Sequence, residues 1–280
     1  MATAIDLASG KDHKAENFPV ASILVKAAHR APIMAFYRFA RAADDIADHP
    51  LAAPADKLAR LGRMRVGVTG GAGDPIAVAL CRTMAAHGLD PAHALELLDA
   101  FERDVTVDRY AGWGALIGYC RLSAMPVGRF VLDVHGEDRG CWPRSDALCA
   151  ALQVINHLQD CGKDYRTLNR VYLPTDTLAA HGSSVEDLGG DAATPGLRAA
   201  IVELAHEAAA LLHQSAAFAS QIRDRRLAAE VAVIQRLAES LVTRLATRDP
   251  LRDRVHHRPW EAAFLGARAA AGELLRGRRA

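Results

Sequence analysis

Apolar residues in this chain recur every three or four positions, and the recurrences resolve into successive amphipathic helices. From Pro32 onward, Ile33, Phe36, Tyr37 and Ala40 repeat at helical spacing, as do Tyr37, Arg41 and the acidic Asp44 and Asp45, and the spacing predicts an end near Pro50. Leu58, Leu61, Met64 and Val68 mark the apolar side of a helix over 54–68. Residues 69–74 are glycine-rich and predict a loop, followed by a helix over 75–87 that Gly88 closes. Asp90 is placed to cap a helix over 91–110. The stretch 113–135 is long and apolar with Pro126 inside it, where a missing N–H predicts a kink. Further helices are predicted over 144–165, 195–223, 225–248 and 259–276, with an extended exit at 170–174 and a short helix before Val25 that Pro19 opens. Runs of β-branched residues between turn signals are almost absent, so the expected fold class is all-α. Residues 1–13 are expected to form a flexible leader, and 14–280 one domain without an internal boundary.

With 280 residues, half of them hydrophobic, the chain has enough material for a sizeable core. Its formal net charge of +1 provides no bulk field for nucleic acid. The five cysteines form no CxxC pair, which suits reduced thiols and a cytoplasmic-type compartment. No basic segment followed by an apolar one opens the chain, so no signal peptide is expected. The most apolar helical stretch, 197–218, is interrupted by Glu203, His206, Glu207 and His213, so no membrane span is expected there.

Two short stretches change this picture. Asp44 and Asp48, and again Asp160 and Asp164, stand four apart within apolar helical contexts. Residues i and i+4 share a helix face about 6 Å apart along the axis. Like charges there repel by a few tenths of a kcal/mol, and two such pairs are reconciled by a shared hard cation. Mg²⁺ fits, since it takes a few carboxylates and completes its shell with water and phosphate oxygens. Asn156, one turn before Asp160, can add an amide oxygen, and Arg41, Lys163, Arg166 and Arg170 flank the two pairs as a bound diphosphate would require. Solvated surface carboxylates are the competing explanation for either pair taken alone. A zinc site from His157, Asp160 and Cys161 is a weaker one, because these residues share a face poorly and no CxxC or HExxH spacing is present. Asp45 is turned about 100° from Asp44 and is expected to be a structural hydrogen-bonding group.

These residues resemble the squalene/phytoene synthase family of head-to-head prenyl synthases. The resemblance rests on Tyr37-x3-Arg41-x2-Asp44-Asp45-x2-Asp48, on Tyr119-Cys120 with Val127-Gly128, on Gln153-x2-Asn156-x3-Asp160-x3-Asp164, and on Arg170-Val171-Tyr172-Leu173-Pro174. It runs from about residue 14 to residue 175. Glu16 to Ser22 and Tyr119 to Arg129 look like the branch that forms hydroxysqualene in hopanoid biosynthesis. The resemblance implies an isoprenoid-synthase fold with a central active-site cavity. It implies Mg²⁺ held by Asp44, Asp48, Asn156, Asp160 and Asp164, and a diphosphate met by Lys14, Arg41 and Arg170. Tyr37, Tyr119 and Gln153 would line the cavity, Tyr119 bordering the reaction centre, with Asn17, Phe18 and Tyr172 also on the substrate. The implied activity is that of a carbon–oxygen lyase turning presqualene diphosphate and water into hydroxysqualene and diphosphate, with no NADPH expected. Implied functional partners are a presqualene diphosphate synthase and a squalene-forming reductase, with peripheral contact to the inner membrane. Another head-to-head synthase, making presqualene diphosphate, dehydrosqualene or phytoene, or a non-catalytic scaffold of the family, are the alternatives. Two departures stand out: Asn17 replaces a family serine, and no tyrosine follows Tyr172, so the last third matches only as helical scaffold.

Overall fold

The structure, a computed structural model, describes residues 26–276, with side chains to residue 273. Lys14, Asn17 and Phe18, the leader and the short helix expected before Val25 lie outside the described residues. The described chain is all-α, without a strand, and its helices fall into two compact units. The first holds α1 (Ala27–Ala47), α2 (Pro54–Val68), α3 (Pro75–His87) and α4 (Ala92–Thr106). The second holds α5 (Trp113–Ser123), α6 (Met125–Val134), α7 (Trp142–Leu168), α8 (Thr175–Ala180), α9 (Pro195–Ser215), α10 (Phe218–Gln221), α11 (Arg225–Thr247) and α12 (Pro259–Arg276).

In the first unit the apolar stripes meet in a core of Phe36, Phe39, Leu61, Met64, Leu80, Met84, Leu97 and Leu98. The start of α3 shows how local chemistry sets a boundary. Asp74 Oδ1 accepts from the backbone N–H of Ile76 (2.8 Å) and Ala77 (3.4 Å), and Pro75 needs no partner at the first position. At the far end Gly88 adopts φ 65°, the left-handed conformation that ends helices most cheaply at glycine. Asp74→Ala is therefore expected to destabilise the protein by about 1 kcal/mol. A urea melt showing no difference from the parent would remove this cap from the account.

Four boundaries differ from the pattern-based expectation, each for a physical reason. α1 begins at Ala27, so Pro32 lies inside it. Ala27, Ala28 and Ala31 favour the helix around the one donor Pro32 lacks. α4 stops at Thr106, because the following residues pair with the exit of α7: Val171 N–H donates to Asp108 O (2.9 Å) and Thr175 N–H to Tyr110 O (2.9 Å). The apolar stretch 113–134 is broken at Ala124 (φ −121°, ψ −45°) instead of kinked, and Pro126 sits in the first turn of α6. By length and composition that stretch could cross a membrane, but it is cut in two, and Leu116, Tyr119, Cys120, Phe130 and Leu132 are buried in the second unit. Finally, α9 ends at Ser215 because its last carbonyls are taken. Gln235 Nε2 donates to Leu212 O (2.9 Å) and Ser215 Oγ lies 3.0 Å from the same oxygen, so Ala216 N–H turns to His213 O instead.

Candidate active site

On α1 the half-buried positions Tyr37, Arg41 and Asp44 form one stripe, which Asp48 continues in the turn just past the helix, its N–H donating to the Asp44 carbonyl (2.9 Å), while Phe36, Phe39, Ala43 and Ala47 are buried in the first unit. Arg41 Nη1 donates to Asp44 (3.0 Å) and Nη2 to Asp45 (2.6 Å). The guanidinium thereby offsets the repulsion of two adjacent carboxylates and orients Asp44 along the stripe.

α7 is buried nearly all round in the second unit. Val154, Ile155, His157, Leu158, Gln159, Cys161 and Gly162 are all buried, and between them Gln153, Asn156, Asp160 and Asp164 remain half-exposed. These are the residues of the second acidic stretch, placed at i, i+3, i+7 and i+11 on one face. Lys163 Nζ lies 3.9 Å from Asp160. Gly162 fits here because a Cβ would stand 3.3 Å from the Leu188 carbonyl, so the helix backbone can approach the 185–189 turn. Within the first unit Asp44 and Asp48, and within the second Asn156, Asp160 and Asp164, present oxygen donors of the kind a hard divalent cation takes. Softer ligands are less available: burial pushes the Cys161 thiol up to about 12, which keeps it protonated, and His157 is buried flat against the Tyr172 ring.

α7 ends at Asn169, which takes the left-handed conformation (φ 51°). Arg109 fixes this turn, its Nη2 donating to Asn169 Oδ1 (2.8 Å) and its Nη1 to the Asn169 carbonyl. The exit then carries Arg170 and Tyr172 into the interior, both buried. There Tyr172 lies flat against His157 (centroids 3.5 Å apart, 17° between planes) and nearly parallel to Tyr110 at 5.7 Å. Tyr119, from α5, tilts against Tyr172 at 5.2 Å and Tyr110 at 5.3 Å. Arg170 Nη1 donates to the Tyr172 hydroxyl (3.2 Å), which lies 3.4 Å from the Tyr119 hydroxyl. Because arginine only donates, the Tyr172 oxygen accepts from it, while either hydroxyl can donate in the Tyr172–Tyr119 pair.

Within the second unit the structure thus gathers Tyr119, Arg170 and Tyr172 in one buried cluster, and sets Gln153, Asn156, Asp160 and Asp164 along one helix face. Sequence reasoning missed Tyr110, which joins the cluster, and Arg109, which holds Asn169, because 108–111 runs beside 171–176. It considered His157 solely as a zinc ligand. Its position four residues after Gln153 and three before Asp160 was the available signal. Among the described residues, no protein group reaches His157 Nε2 within hydrogen-bonding distance. Arg129 is structural: it holds Asp146 through Nε (2.9 Å) and Nη2 (2.6 Å) and lies 4.8 Å from the Trp142 ring centroid. Gly128 lets α6 and α7 close together, since a Cβ there would lie 2.5 Å from Ser145 Oγ.

The family model for squalene/phytoene synthase matches residues 11–261. The hydroxysqualene synthase of Zymomonas mobilis subsp. mobilis is 55% identical over 275 residues, covering 97% of this chain and 93% of that protein. The hydroxysqualene synthase of Rhodopseudomonas palustris is 52% identical over 277 residues, covering 99% of this chain and 95% of that one. Among solved structures, squalene synthase HpnC from Alicyclobacillus acidocaldarius superposes with a TM-score of 0.72 at 33% identity, over 82% of this chain and 88% of that one.

Proposed function

We propose, since the chain belongs to the squalene/phytoene synthase family, that it converts presqualene diphosphate and water to hydroxysqualene and diphosphate. The observation carrying this reading is the extent of the likeness: it spans nearly the whole of two proteins that bear that activity in their names.

The residues that would hold Mg²⁺ are Asp44 on α1, Asp48 just past its end, and Asn156, Asp160 and Asp164 on α7. Bound there, the metal neutralises charge on the departing diphosphate. Arg41 and Arg170 add fixed positive charge for the same anion. The reaction breaks the carbon–oxygen bond to diphosphate, which makes the enzyme a carbon–oxygen lyase. The carbocation rearranges, gains the oxygen of water and loses one proton, so no hydride donor is consumed. The faces of Tyr110, Tyr119 and Tyr172 are electron-rich surfaces that favour a nearby cation. The contacts from Arg170 to Tyr172 and from Tyr172 to Tyr119 place the Tyr119 hydroxyl at the border between apolar rings and polar groups.

The direct test supplies purified protein with Mg²⁺ and presqualene diphosphate in heavy-oxygen water. Hydroxysqualene carrying the label is expected by mass spectrometry. Absence of the alcohol, with farnesyl or geranylgeranyl diphosphate consumed instead, would reassign the chain to another head-to-head synthase. Tyr119→Phe is expected to change the ratio of alcohol to hydrocarbon products about tenfold while diphosphate release stays within about threefold of the parent, as for an interaction made after ionisation. Unchanged products at an unchanged rate would return Tyr119 to a purely packing role.

A further inference from the structure

The outer side of α12 is apolar, and among the described residues nothing covers it. Trp260, Ala263, Phe264, Ala267 and Ala271 fall on one helical stripe and all are exposed, Trp260 by 65% and Phe264 by 58%. The other side is also occupied. Gly266 is buried against Val233, where a Cβ would stand 3.2 Å from a methyl group, and Glu261 turns inward to Arg244 (3.1 Å). A helix that is apolar on both sides is ordinarily covered on both, and exposed aromatic pairs commonly mark a contact surface.

Charge indicates what covers it. Arg268, the charged member of the outer face, lies over the Phe264 ring at 5.6 Å, and no acidic side chain shares the stripe. Arg252, Arg254 and Arg258 are exposed just before the helix. From Arg252 to the end, the sequence carries seven arginines against three acidic residues, in a chain whose net charge is only +1. An aromatic pair edged by arginines is the composition of a helix lying in the headgroup region of an anionic bilayer. A two-fold contact with a second copy would instead set one arginine-edged face against another, with no acidic side chain on the stripe to meet the charge.

We propose that the outer face of α12 docks this protein on an anionic phospholipid bilayer, with Trp260 and Phe264 entering the boundary between headgroups and acyl chains and the arginines meeting phosphate. The test is flotation of the full chain with vesicles of phosphatidylcholine alone or with about one third phosphatidylglycerol. Binding to the phosphatidylglycerol vesicles is expected to exceed binding to phosphatidylcholine several-fold and to fall as salt rises. Trp260→Ser combined with Phe264→Ser should lower partitioning at least about tenfold, with unchanged circular dichroism. Arg268→Glu should weaken binding to the anionic vesicles alone. A second measurement avoids dependence on the double variant's folding: brominated lipid should quench the parent's tryptophan fluorescence, and Trp260→Phe should abolish most of that quenching. No preference of the parent for anionic vesicles, no quenching, or parental binding by a folded double variant would each overturn the proposal. So would a double variant that changes only from dimer to monomer.

Discussion

Asp160→Asn is expected to lower turnover about a thousandfold, and Asp44→Asn to do the same, the scale of losing a group that stabilises charge in the transition state. Each substitution keeps the side chain's shape and removes its charge. Asp160 is the more direct case, since Lys163 stands 3.9 Å from it and is itself largely exposed. In Asp44→Asn, Arg41 retains Asp45 at 2.6 Å, so the local fold has a second anchor. The stability effect should run in the opposite direction. Removing one member of a like-charged i, i+4 pair relieves repulsion worth a few tenths of a kcal/mol, so metal-free Asp160→Asn should melt no lower than the parent, while in Asp44→Asn the weakened Arg41 contact offsets that gain and the two melts should coincide within about 1 kcal/mol. Diphosphate release measured beside thermal melts separates the possibilities. Turnover within about threefold of the parent in both variants would dismantle the metal-binding assignment, and a lowered melting temperature would make the carboxylates structural.

The second large effect concerns acid stability. His157 is buried, and its imidazole is pushed down to about 3 from an ordinary value of 6.5. Between those values the unfolded chain binds a proton that the folded protein refuses. Stability is therefore fully present above about pH 6.5 and is lost as pH falls toward 3, by up to about 1.4 kcal/mol per pH unit. His157→Phe keeps a flat ring against Tyr172 and removes the titration. Urea melts at a series of pH values should show the variant losing about 2 kcal/mol less than the parent between pH 6.5 and pH 5. Parallel curves would mean that His157 becomes protonated in the folded state without penalty.

Much of the fold was legible where a boundary is made by neighbours in sequence. Pro54 opens α2, Asp74 and Pro75 open α3, and Gly88 closes it. The misplaced boundaries were those decided at a distance. Gln235 takes the carbonyl that would have extended α9, and the exit of α7 draws off the residues that would have extended α4. The same division holds for the candidate site. The stripes on α1 and α7 follow from residue spacing alone, because a helix converts spacing into direction. The cluster around Tyr172 does not, because Tyr110, Tyr119 and His157 come from three separate stretches and nothing in their local patterns refers to one another.

Asn169 has a consequence for how this chain can change over generations. It stops α7 in a conformation that side chains seldom adopt, and the Arg109 guanidinium grips it from a stretch 60 residues away. The distance along the chain from Asp164 to Tyr172 is thus a fixed gauge. One residue inserted there would turn Asp164 by about 100° relative to the stop, or would carry Arg170 and Tyr172 out of the buried cluster. Length variants are therefore expected in surface turns such as 181–194, and 164–174 is expected to change letters but not their number.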